Sequence, residues 1–315
     1  MPSFRIATFN VINGFGGHVS FPTVTQEPAV EAVLARVDAD VVAIQEYKVN
    51  TDSDAAWARV AGNLGYTLQV GPLAGAALAH ARAFLFKTAT VSLIDEGLML
   101  NAPLDKTFNL SPYYGEFSIG GSPFLVFNCH FTPSCCGLPN VGDSGDFQRG
   151  LEFQRFLEWG LSLKAVRGGS IPAFFVGDHN QTPDDGGAVD YSALPSPFHP
   201  VAGSSIQNMV FPVYHGNFPV DGYEREGLTV LQPFREGTAD DTTWNHEVAD
   251  LPELPDDVRI DYIAATSEVT FMGSEIYSRV DDVGGGLTKA GSAPASTASD
   301  NASDHLALFA DVTIP

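Results

Sequence analysis

Eight short apolar runs set the terms for this chain: FRIATFNV, VVAIQE, AFLFK, GEFSIGG, FLVFNCHF, AFFVGD, RIDYIAA and LALFADVTI. Their β-branched and aromatic content predicts strands, and AFFVGD reads as one buried on both faces. Helical patterns lie between some of them. EPAVEAVLARVDAD carries Pro28 near its start, DAAWARVAGNLG closes on a glycine, and DFQRGLEFQRFLEWGLSLKAV is the longest despite two interior glycines. Strands outnumber helices, and both hairpin and crossover connections occur. That mixture predicts an α/β sandwich of packed sheets flanked by helices rather than one parallel sheet. TKAGSAPASTASDNAS sits just before the last strand and reads as a loop, so residues 1–315 are expected to form one domain.

The strands end in a recurring set of polar residues. FRIATFN delivers Asn10, VVAIQE delivers Gln45 and Glu46, and FLVFNCH delivers Asn128 and His130. AFFVGDHN stops at a glycine and presents Asp178 and Asn180; RIDYI carries Asp261; ASDHLALF places Asp304 and His305 before the final strand. Taken singly, Asp, Asn and Gly after a strand are ordinary turn residues. An Asp inside a strand is harder to dismiss, because burying an unpaired carboxylate is costly. Together they supply hard oxygen ligands, carboxamides and two imidazoles. Such a set suits a magnesium-like ion and phosphoryl transfer better than zinc, for which no histidine cluster at ligand spacing exists.

Charge narrows the partners. Lys and Arg number 16 against 38 acids, a formal charge of −22, so the basic surface that drives tight nonspecific nucleic-acid binding is lacking. No apolar run reaches the roughly 18 residues of a membrane span. The start, MPSFRIATFNV, has no leader pattern, which slightly favours the cytoplasm, although a processed, exported form reads the same way. Three cysteines, Cys129, Cys135 and Cys136, form no CxxC pair, and the adjacent pair takes no assigned role.

TFNV, IQE, NCHF, GDHN, RIDYI and SDH resemble, in order and spacing, the endonuclease/exonuclease/phosphatase superfamily, from Asn10 to His305. The departure is His179, where the family pattern has Phe; alternation along an extended chain turns it away from its neighbours, to pack or to meet solvent. The resemblance implies a four-layer α-β-β-α sandwich, two mixed β-sheets face to face with helices outside. It implies Glu46, Asn10 and Asp304 as the metal site for Mg²⁺, with Mn²⁺ or Ca²⁺ as substitutes. It implies Asp178 and Asn180 as the pair that activates and orients water, the two pointing one way if the chain is extended there. It further implies His305, paired with Asp261, as a phosphate-gripping imidazolium, and His130 as general acid or phosphate-oxygen donor, against a merely packed histidine. Asn128 is expected to help orient the phosphate. Trp244 is a substrate contact or a core or lid aromatic. His18, His80, His199, His215 and His246 have no motif support and are expected in ordinary surface or loop roles.

A metal-dependent phosphoesterase with a non-polymeric substrate is therefore expected, with a nuclease on DNA or RNA as the alternative. An inactive binding protein on the same scaffold is the rival of another class. The apolar stretch from Met209 to Val220 reads either as a lipid-facing hairpin or as a buried loop.

Overall fold

Each of the eight apolar runs forms a strand. The computed structural model describes residues 1–16, 20–73, 80–99, 108, 110–132, 142–180, 220–231, 233, 243, 260–277, 289 and 298–315. Cys135, Cys136, Trp244, His18, His199, His215, His246 and the stretch 209–219 lie outside these residues. One sheet runs β11 (Thr270–Ile276), β12 (Leu308–Thr313), β1 (Ser3–Asn10), β2 (Val41–Lys48), β4 (His80–Lys87), β3 (Tyr66–Val70). The other runs β5 (Val91–Leu98), β6 (Tyr113–Ile119), β7 (Ser122–His130), β8 (Ala173–Asp178), β10 (Asp261–Ala265), β9 (Thr229–Val230). Both are mixed: β1 pairs parallel with β2 and antiparallel with β12, and β7 pairs parallel with β8 and antiparallel with β6.

Central strands buried on both faces need no polar alternation. In β2, Val41 and Ala43 face the other sheet while Val42 and Ile44 face helices, and all four are buried. The core accordingly falls into three slabs. One lies between the sheets, with Phe4, Phe84, Phe117, Phe124 and Phe174 at its centre. A second packs α1 (Thr23–Val37), α2 (Thr51–Leu64) and α5 (Ala298–Ala302) on the first sheet. A third packs α3 (Gly142–Val166) and α4 (Val220–Arg225) on the second. The result is the four-layer α-β-β-α sandwich.

Local chemistry sets several boundaries. Asn50 caps α2 by accepting from the Ser53 N–H at 2.8 Å, and Gly65 ends it in a left-handed turn at φ 74°. Helix α1 starts at Thr23, five residues ahead of Pro28, so the proline lies inside it rather than at its first turn. The missing N–H would have met the carbonyl of Val24, a residue 81% exposed, where water can serve that carbonyl instead. Gly160 in α3 is a packing residue: a Cβ there would sit 2.5 Å from the Phe175 ring.

Candidate active site

The polar strand ends converge at one edge of the sandwich. Asn10 closes the parallel pair β1–β2 opposite Gln45, with Glu46 the next residue of β2; His130 and Asp178 close the parallel pair β7–β8, and Asp261 opens β10 directly opposite Asp178. The Asn10 amide donates to Asp178 Oδ2 at 2.9 Å and to Glu46 Oε1 at 3.4 Å, and it lies 3.4 Å from His305 Nε2. One carboxamide thus joins the two sheets.

Glu46 sits on a β-bulge. The β2–β4 register shifts between Ile44 and Tyr47, and Glu46 takes φ 57°, a left-handed conformation unusual for a non-glycine residue. The Asn13 N–H donates to its Oε2 at 2.9 Å, and Gly14, at φ 31°, admits this turn because a Cβ there would lie 2.7 Å from the Glu46 carbonyl oxygen. Burial pushes the Glu46 carboxyl up, but His130, the Asn13 N–H, His80 and His305 outweigh it and leave the pKa below the ordinary value.

Asp178 goes the other way. Burial lifts it to about 7, with Asp261 adding to the rise, while His305, the Asn180 N–H and Asn10 oppose it. Just before Asp178 in the strand, Gly177 has a φ of 134° and lies against the Cys129 carbonyl, which leaves no room for a Cβ. Asn180 does not continue an extended chain. It adopts φ 51°, its N–H donates to Asp178 Oδ1 at 2.7 Å, and its Nδ2 donates to the Phe131 carbonyl at 3.0 Å. The Asp178–Asn180 spacing is thus an Asx turn, and alternation along a strand is not what aligns the two side chains. Between them His179 packs inward, fully buried. Its Nδ1 donates to the Gly177 carbonyl at 2.9 Å, and its Nε2 accepts from the Tyr223 hydroxyl at 2.6 Å.

His305 Nδ1 donates to Asp261 Oδ2 at 2.8 Å, and its Nε2 lies 3.8 Å from Asp178 Oδ2. Burial alone would lower its pKa; Asp261, Asp178 and Asp304 reverse this and raise it to about 10, so it is an imidazolium at neutral pH. His130 Nε2 stands 3.5 Å from Asp178 Oδ2 and 3.9 Å from Glu46 Oε1. Burial drives it down to about 4, with Arg82 and His305 assisting against Glu46. It is therefore neutral in the empty site, with one ring N–H to donate. Asp304 sits beside Ser303, whose Oγ donates to the Asn10 carbonyl at 2.8 Å and receives the Ile12 N–H at 3.0 Å.

Asn128, expected to orient the phosphate, is spent elsewhere. Its Oδ1 accepts from Gln45 Nε2 at 2.7 Å, and its Nδ2 donates to the Ile44 and Ala83 carbonyls at 3.0 and 3.1 Å. It ties the sheets together beneath the site. His80 corrects the expectation in the other direction: its Nε2 is 2.9 Å from Asn13 Oδ1, one residue from the Glu46 carboxylate, so it supports the site. Thr243 was missed too. Its hydroxyl receives the Ile260 and Asp261 N–H groups at 3.0 and 3.1 Å, and its carbonyl receives the Leu306 N–H at 2.7 Å, which joins the Asp261 and His305 segments. Neither His80 nor Thr243 has a local sequence signal; each matters through a partner far along the chain.

Among the described residues, two groups could hold a metal. Asp178, Asp261 and His305 offer ligand atoms within 4.8 Å of one another. That group already carries its own cation, since Asp261 engages His305 Nδ1 and the ring is protonated. Glu46 and Asn10 fit a hard cation better. The Glu46 carboxylate is ionised, with its side chain 21% exposed, and Asn10 Oδ1 is buried without a hydrogen-bond partner among the described residues.

Buried carboxylates, an imidazolium and oxygen ligands at the edge of a four-layer sandwich define a metal-dependent hydrolase of phosphoric esters. The profile of the Endonuclease/Exonuclease/phosphatase family matches residues 7–305, and the chain belongs to that family, whose members are metal-dependent hydrolytic phosphoesterases. No curated protein matches it by sequence. Among solved structures it is similar to an endonuclease/exonuclease/phosphatase from Bacteroides vulgatus, at 14% identity and TM-score 0.60 over 100% of both chains. It is similar to the human Nocturnin catalytic domain with bound sulfate, at 16% identity and TM-score 0.58 over 100% of this chain and 95% of that one. It is also similar to a Bacteroides thetaiotaomicron mannosyl-6-phosphatase, at 15% identity and TM-score 0.58 over 99% and 100%. These likenesses are of fold.

Proposed function

We propose that the protein is a magnesium-dependent hydrolase of a small, non-polymeric phosphoester, acting by direct in-line attack of water on phosphorus. The observation that carries this reading is Asp178. It is a buried carboxyl lifted to about 7, held by the Asn10 amide, and faces the imidazolium of His305 across 3.8 Å. A base poised near neutrality can take a proton from water while Asn180 orients that water. His305 then meets the charge that develops on the phosphoryl oxygens, and Asp261 keeps it protonated and aimed. His130 donates a neutral N–H on the side of Glu46. Glu46 and Asn10, with Asp304, are the residues proposed to hold the metal ion, which when bound supplies Lewis-acid neutralisation of phosphoryl charge.

A small substrate is favoured by charge. A chain at −22 forgoes the electrostatic attraction that holds a polyanion. One similar fold is that of a mannosyl-6-phosphatase.

The test is a metal-supplemented panel of bis-p-nitrophenyl phosphate, p-nitrophenyl phosphate, inositol phosphates, sphingomyelin, DNA and RNA. Turnover of small esters, abolished by EDTA and restored by Mg²⁺ or Mn²⁺, supports the reading. Cleavage of polymers alone would establish the nuclease alternative. Full activity after rigorous chelation would refute the metal requirement, and binding without turnover would mark an inactive scaffold.

A further inference from the structure

One buried cation, Arg82, stands beside the site. Arg82 lies on β4 across from the bulge that carries Glu46, since Ala81 pairs with Tyr47 and Ala83 with Ile44. Ala81 and Ala83 face the helices and Phe84 faces the other sheet, so alternation places Arg82 in the gap between the sheets. The residue is 2% exposed, and its Nε has no hydrogen-bond partner. No carboxylate among the described residues lies within ion-pair distance of the guanidinium. Glu152, whose charge it feels, has its carboxylate engaged by the Thr132 N–H and hydroxyl at 2.8 and 2.9 Å.

Two further polar atoms in this wall are buried and unpaired, the Tyr113 hydroxyl and His130 Nδ1. Their neighbourhood is fixed by register. Tyr113 pairs with Asn128 across β6–β7, and His130 lies two residues beyond Asn128 on the same face. The Asn128 amide bonds the Ala83 carbonyl, immediately after Arg82. The Tyr113 ring stacks on Phe84 at 5.3 Å and lies under Gly71, whose N–H donates to the Arg82 carbonyl at 2.8 Å. A long cation buried only to fill space would be replaced without loss by Met or Leu. A buried guanidinium Nε and a buried hydroxyl, both without a hydrogen-bond partner, are instead donors that an oxyanion would satisfy.

We propose that Arg82 and Tyr113, next to His130, form a second oxyanion subsite that receives a non-reacting phosphate or carboxylate of the substrate. The inference rests on the hydrolase reading and deepens it: the substrate is a small ester bearing a second anionic group close to the reacting phosphorus. His130 turns its Nε2 edge to Asp178 and Glu46, so the ring separates the reacting centre from Arg82 and Tyr113, which supply the donors of the subsite.

The experiment competes three ligands against metal-supported turnover of bis-p-nitrophenyl phosphate. Methyl phosphate carries one anionic group, phosphoglycolate adds a carboxylate, and ethylene glycol bisphosphate adds a phosphate. At least one of the two-anion ligands should bind about tenfold or more tightly than methyl phosphate, and which one does identifies the second group. Arg82→Gln should bring that ratio to within about twofold of one, Tyr113→Phe should lower it severalfold, and Arg82→Lys should keep part of it. The ratio is independent of how much of each variant folds. A wild-type ratio near one, or a ratio unchanged in both Arg82→Gln and Tyr113→Phe, overturns the subsite. Should wild type turn over no ester of the panel, the hydrolase reading fails separately, and calorimetry of the same three ligands still reads the ratio.

Discussion

Asp261 and His305 stand 44 positions apart in sequence, yet the His305 Nδ1–H donates to Asp261 Oδ2 at 2.8 Å with both side chains buried. That bond orients the ring, turns Nε2 toward Asp178 and, with the charges of Asp178 and Asp304, raises the imidazole to about 10 against the penalty of burial. Asp261→Asn should therefore cut kcat by about 10²–10³ and shift the alkaline limb of the pH–rate profile downward. An unchanged limb would mean that His305 does not act as a cation.

Asp178 is raised to about 7 in the fold from an ordinary value of 3.8, so across that window the native chain keeps a proton that the unfolded chain has released. Its contribution is complete at low pH and is lost as pH rises through about 7. In chelator-treated protein, urea unfolding between pH 5 and 7 should give a negative stability slope. Asp178→Asn should remove up to about 1.4 kcal/mol per pH unit of it. An identical slope in the variant would show that Asp178 titrates ordinarily.

Metal affinity should reside in Glu46. Glu46→Gln removes the ionised carboxylate while retaining an acceptor for the Asn13 N–H. Calorimetric titration of Mn²⁺ should show affinity reduced by about 10-fold or more, with an unaltered far-ultraviolet circular dichroism spectrum. Retained affinity in this variant, and its loss in Asp261→Asn, would relocate the ion to the Asp178–Asp261–His305 group.

The His179–Tyr223 hydrogen bond anchors the turn between Asp178 and Asn180. Tyr223→Phe leaves a buried imidazole acceptor unpaired and should cost about 1–3 kcal/mol in denaturant unfolding, with only a small change in KM. A loss of turnover at unchanged stability would show that the pair acts on the geometry of Asp178 rather than on the fold.

The chain announced its interior strands and concealed its edges. The eight apolar runs are β1, β2, β4, β6, β7, β8, β10 and β12; the four strands without such a run, β3, β5, β9 and β11, are the outer strands of the two sheets. VSLIDEGL and TFMGSEI each present one face to water, and β9 is two residues long, so hydrophobicity cannot mark them. The site was legible for a different reason. Asn10, Glu46, His130, Asp178, Asp261 and His305 each terminate or open one of the loud interior strands, and parallel pairing brings such ends together. Backbone geometry was not legible: the bulge under Glu46 and the left-handed Asn180 depend on partners across the sheet. Nor could Asn128 be recognised as a tie between sheets, because its acceptors Ile44 and Ala83 lie on other strands.

The central claim is that water held at Asp178 attacks phosphorus directly. Single-turnover hydrolysis in ¹⁸O-labelled water, followed by mass spectrometry of both products and of the protein, tests it. One labelled oxygen should appear in the phosphoryl product, with none in the departing alcohol and no phosphate attached to the chain. Label in the alcohol, or a phosphorylated protein, would contradict the account.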